Sequence, residues 1–108
     1  MNDLSALGRE LLTEAAASPS GRASRKLTGT AGQPLHQLLL ALQDGRELSE
    51  HANPGQATLQ VLQGKVVLRA TEEVTIGSAQ LATIPDETHS VLALEPSVVL
   101  LTLVHRAG

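Results

Sequence analysis

From Leu35 to Val104 the chain is a succession of short apolar runs, each closed by a turn signal. Leu35–Leu42 is almost wholly apolar and ends at Asp44-Gly45, where glycine takes positive φ without a steric penalty. Arg46–His51 ends at Asn53-Pro54-Gly55. Ala57–Leu62 alternates, with Ala57, Leu59 and Val61 in one phase and Thr58 and Gln60 in the other, and ends at Gln63-Gly64. Lys65–Ala70, Val74–Ile76, Ala79–Ile84, His89–Leu94 and Val98–Val104 follow, separated by further turn signals. Short strands at this rhythm predict a sandwich or barrel.

Composition limits what such a fold can do. The chain has 108 residues, enough for one compact domain, and 42% of them are hydrophobic. Phe, Tyr and Trp are absent, so Leu, Val and Ala must build the core. The same absence removes aromatic stacking on bases and any tyrosine acid. A net charge of -3 with scattered Lys and Arg argues against duplex DNA, which needs a basic face. With no cysteine there are no disulfides and no thiolate metal sites. No apolar run approaches the roughly 20 residues of a membrane-spanning helix. Met1-Asn-Asp-Leu lacks the basic region and apolar stretch of a secretory signal. The expectation is a soluble cytoplasmic protein with neither nucleic-acid nor membrane partners.

The first part of the chain has a different period. Leu4, Leu7, Leu11, Leu12 and Ala15 recur at helical spacing, which predicts an amphipathic helix over 3–17. Asn2 or Asp3 would cap its start and Ser18-Pro19-Ser20-Gly21 would end it. Its apolar stripe must dock, either on the body of the fold or on a partner subunit. Residues 21–34 read as a glycine-rich connector holding Arg22, Arg25 and Lys26, with a short edge strand around Leu27. The expected organisation is a helix and cap over 1–20, a connector over 21–34 and a β unit over 35–108, in one domain.

Two stretches carry candidate chemistry. One is Gly45-(x5)-His51-x-Asn53-(x3)-Ala57-(x6)-Gly64; the other centres on Pro85 and His89. His51 and Asn53 share a face if that segment is extended, and His89 shares parity with Val91 and Ala93. Two imidazoles from separate strands, meeting at the mouth of a β fold, are the start of a metal site, since imidazole suits zinc, iron, nickel and copper.

This spacing resembles the two sequence motifs of the cupin superfamily, over roughly residues 35–104. The first motif usually runs Gly-(x5)-His-x-His-(x3–4)-Glu-(x6)-Gly. The chain matches both glycines, the first histidine and every interval, with Asn53 in place of the second histidine and Ala57 in place of the glutamate. In the second motif Pro85 and His89 remain, one residue closer together. Ala79 stands at its first glycine and Ala93 at its last asparagine. The resemblance implies an all-β, cupin-like jelly-roll β-barrel with a short N-terminal α-helix, as a homodimer. It implies a pocket in which His51, Asn53 and His89 are candidate ligands of a divalent transition metal (zinc, iron, nickel or manganese), lined also by His36, Ala57 and Glu87. Glu87 is the nearest carboxylate able to replace the missing one. His36 shares a phase with Leu38, Leu40 and Leu42.

Three functions compete at this point. The first is a small cupin-domain protein that binds a small ligand or a metal ion in the barrel pocket. The second is a metal-dependent enzyme of the dioxygenase or isomerase type, which needs a carboxylate beside the histidines. The third, compatible with both, is an interaction protein whose N-terminal helix and strand edges build an oligomer. The sequence does not decide between catalysis and binding.

Overall fold

A computed structural model of the chain describes residues 1–29, 31–51, 55–85 and 87–105. One helix, α1 (Leu4–Ala17), precedes nine strands. These are β1 (Arg22–Thr28), β2 (Leu35–Leu42), β3 (Glu47–His51), β4 (Gly55–Gln63), β5 (Lys65–Arg69), β6 (Glu73–Gly77), β7 (Leu81–Thr83), β8 (His89–Ala93) and β9 (Ser97–His105). They form a five-stranded sheet, β1-β2-β9-β4-β7, and a four-stranded sheet, β3-β8-β5-β6. All the pairings are antiparallel. Successive strands from β2 onward are dealt between the two sheets in the order of a jelly roll. The ladders stop at β1 and β7 in one sheet and at β3 and β6 in the other. Among the described residues the sheets are therefore an open sandwich, not the closed barrel that the resemblance implies. On one side, side chains of β6 and β7 line a cleft where a closing ladder would run.

The aromatic-free core lies between the sheets. Leu42, Leu59, Val61 and Val99 from the larger sheet meet Val66, Leu68, Ile76 and Val91 from the smaller one. A second cluster lies outside the larger sheet, where Leu11 and Ala15 of α1 cover Leu39, Ala41 and Val98. Strands β2 and β9 are thus covered on both faces, which is why their sequences are continuously apolar and not alternating. The helix begins at Asp3, whose Oδ1 accepts the Ala6 N–H at 3.1 Å; of the two expected caps it is Asp3 that serves. Gly8 lets α1 approach β9, since a Cβ there would lie 3.3 Å from Val98. The span read as a connector contributes a seven-residue edge strand, β1. Arg25 lies on its helix-facing side between Ala23 and Leu27, and donates to Glu14 at 2.7 Å. The predicted apolar stripe of the helix docks on the chain's own sheet.

Four sheet-to-sheet crossings gather at one end, at residues 43–46, 64, 78–80 and 94–96. Ser97, fully buried, ties two of them together. Its Oγ accepts the Lys65 N–H at 3.0 Å, and its own proton faces the Glu95 carbonyl at 2.7 Å and the Lys65 carbonyl at 3.2 Å. Leu94 N–H adds a bond to the Lys65 carbonyl at 2.9 Å. Gly64 passes so close that a Cβ would strike Ser97 Oγ and come within 2.6 Å of the Pro96 carbonyl, and its φ is 95°. The third crossing carries a penalty. Ala79, at the position where the resembled motif has glycine, takes φ 68° and is the only positive-φ residue other than glycine among those described.

Ser97→Ala should leave the Lys65 N–H without a partner and destabilise the protein by about 1–3 kcal/mol. Ala79→Gly should stabilise it. Relief of a left-handed alanine is worth about 1–2 kcal/mol, against about 0.4–1 kcal/mol of added unfolded-state entropy. Urea denaturation followed by far-ultraviolet circular dichroism checks both, since no aromatic residue can report.

Candidate functional site

The candidate residues lie at the end of the sandwich opposite these four crossings, where the chain also passes between sheets after β3 and after β7. Strand β3 runs from Glu47 toward that end, and β8 starts from it at His89. Between Leu48↔Val91 and His51↔His89 the register slips, with one more residue on β3 than on β8. This is a β-bulge. The extra residue brings His51, and not Glu50, opposite His89. It also breaks the simple alternation by which residues 47 and 51 of one strand would share a face. Leu48, a member of the core, carries the one available signal: its apolar character puts the inward face of β3 at 48, out of step with His51 by simple alternation.

His89 is 3% exposed. Its Nδ1 lies 3.0 Å from the Glu87 carbonyl. A carbonyl only accepts, so Nδ1 must carry the hydrogen, and in the neutral ring Nε2 is then the basic nitrogen. That carbonyl contact is the support by which proteins orient a ligating imidazole.

Glu87 itself turns elsewhere. Its Oε1 accepts the Thr71 N–H at 2.7 Å, so the carboxylate latches the loop after β7 onto the β5–β6 turn. It lines a cleft of about 460 Å³ together with Leu68, Val74, Ala82 and Pro85. Ala57 is buried on the inner face of β4, opposite Leu103 of β9. His36 pairs with the same Leu103 from the other side, so His36, Leu103 and Ala57 form one row across the larger sheet. The His36 ring packs over Gly29, and its Nε2 lies 2.8 Å from the Gln33 carbonyl, within the β1–β2 hairpin. Asn53 and the side chain of His51 lie outside the described residues.

The backbone therefore sets His51 and His89 opposite one another, and brings His36 and Ala57 to the same end on the facing sheet. Among the described residues no three His, Asp or Glu side chains form a group able to hold a metal ion. His36, Glu87 and His89 do not by themselves make a metal centre.

The chain is similar to several solved structures. A conserved protein of unknown function from Streptococcus pyogenes matches with 25% identity and a TM-score of 0.75, over 84% of this chain and 80% of that one. A cupin superfamily protein from Desulfitobacterium hafniense matches with 17% identity and a TM-score of 0.72, over 79% and 78%. A salicylate 1,2-dioxygenase from Pseudaminobacter salicylatoxidans matches with 16% identity and a TM-score of 0.76; the match takes in 92% of this chain and only 33% of the enzyme. No family model matches the chain, and no curated protein matches it by sequence. The fold is that of the cupin superfamily, as the glycine and histidine spacing implies.

Replacing Glu87 by Ala should free the Thr71 amide and speed its hydrogen exchange by roughly threefold to tenfold, the equivalent of the ~0.5–1.5 kcal/mol net worth of a hydrogen bond. Exchange at core amides such as Val91 should not change. Exchange followed residue by residue in NMR spectra checks this.

Proposed function

We propose that this protein binds a small ligand or a metal ion at the open end of the sandwich, with His51, Asn53 and His89 as the donors. The observation that carries the reading is the register that sets His51 opposite a buried His89 whose Nδ1 is already committed to the Glu87 carbonyl. Burial, a defined tautomer and a second histidine on the neighbouring strand are what a binding site needs and a structural core does not. A divalent transition metal (zinc, iron, nickel or manganese) is the occupant that such nitrogen donors favour. An amide oxygen at Asn53 would be a neutral, weaker third donor.

A metal-dependent enzyme of the dioxygenase or isomerase type is the second reading, supported by the shared fold of salicylate 1,2-dioxygenase. It ranks lower because the Glu87 carboxylate, the nearest replacement for the missing acidic ligand, is held at the Thr71 amide on the rim of the β6–β7 cleft. A homodimer in the cytoplasm belongs to the same reading. Its support is the outer edges of β3, β6 and β7, which stand at the ends of their ladders and suit a second copy. No helix among the described residues is long and apolar enough to cross a membrane.

Elemental analysis of protein purified without a histidine tag tests the proposal. A stoichiometric metal in the native chain, lost in both His51→Ala and His89→Ala, is the expected result. Metal content that is unchanged in both variants would overturn the assignment of these donors.

A further inference from the structure

The sandwich has a recess beside the histidine end, where its sheets fail to close. It lies between edge strands β6 and β7 and encloses about 460 Å³. That is within the range of pockets that hold small molecules, roughly 300–1,000 Å³. Leu68 and Ala82 line it from the two sheets, and Val74, 47% exposed, stands at its side. An exposed valine on an edge strand next to a buried leucine is an apolar wall without a cover. Glu72 and Glu87 supply the charge, and among the described residues no Lys, Arg or His lines the recess. Arg69, the nearest cation along the chain, is engaged by Glu73 at 3.1 Å. Glu87 Oε1 is held by the Thr71 amide, which fixes one carboxylate at the rim.

The geometry points to a binding site for a small organic cation: an apolar body seated on Leu68, Val74 and Ala82, with an ammonium group at Glu72 and Glu87. Charge complementarity selects this class. An anion would meet two carboxylates and no counter-charge, whereas an amine gains from both. A peptide added as an extra strand fits poorly, because β7 offers only three residues of edge. The inference goes beyond the proposed metal donors, since it uses neither the His51 nor the His89 side chain; the two sites meet at Glu87, whose carbonyl faces His89 Nδ1.

Titration of isotope-labelled protein with 2-phenylethylamine, followed by NMR, tests it, with 3-phenylpropionate as the anionic control. Saturable shifts of the Thr71, Val74, Ala82 and Glu87 amides by the amine, with affinity on the order of tenfold above that for the acid, are expected. Glu72→Gln leaves the Glu87 latch in place and should weaken the amine several-fold. Val74→Lys, at an exposed position, should abolish binding while the rest of the spectrum stays native. His51→Ala should keep amine binding even if it loses metal, so the two sites fail separately. Equal binding of the acid, shifts that fall elsewhere, or no saturable shift would each overturn the proposal.

Discussion

The Ser97 hydroxyl governs how this chain crosses between its sheets. A jelly roll must carry the backbone back and forth across the core, and each crossing turns polar groups away from the ladders. Here one buried hydroxyl satisfies the Lys65 amide at the β4–β5 crossing and faces the Glu95 and Lys65 carbonyls beside the β8–β9 crossing. Gly64 is the complement of that hydroxyl, because no larger residue leaves room for it. Once these crossings are fixed, the strands on either side of each are in register, and the inner faces of β4, β5, β8 and β9 meet in the core. Packing then does the rest with modest units. Without a ring to fill space, the interior relies on many close Leu, Val and Ala contacts, each small and together large.

The outer face of the larger sheet needed a solution of its own. Leu39, Ala41 and Val98 would be an exposed apolar patch without α1. Gly8 and Ala15 keep that helix close, and the Arg25–Glu14 pair ties it to the edge strand. The ion pair is largely exposed and contributes little energy. Its value is orientation, since the helix is held over β1 as well as over the centre of the sheet. The charged residues of β1 also make that edge a poor template for stray pairing.

Much of this was legible because the motif spacing is a length. From Gly45 to His51 is one strand outward, and from Gly55 to Gly64 is one strand back, each about 20–30 Å at the rise of an extended chain. Glycines at the turning points and histidines at the far end follow from that geometry. Even the alanine at 79 fits, since it stands in a left-handed conformation where glycine would be easier. Other features were hidden. The β3 bulge depends on pairing with β8, which no local pattern records; unbroken pairing from Leu48 would set Glu50, and not His51, opposite His89. The reach of Glu87 to the Thr71 amide joins loops distant in sequence. The failure of the sheets to close is a property of β6 and β7 together, and neither short strand announces it.

Four of the six passages between the sheets gather at one end, which divides labour along the molecule. That end holds the buried ties around Ser97, while the opposite end carries the other two passages, after β3 and after β7, beside the β1–β2 and β5–β6 hairpins. Those two hairpins can change length or composition without disturbing how the sheets are threaded. The same scaffold could therefore accept new rims around its opening, and diversification in such a lineage would accumulate there first.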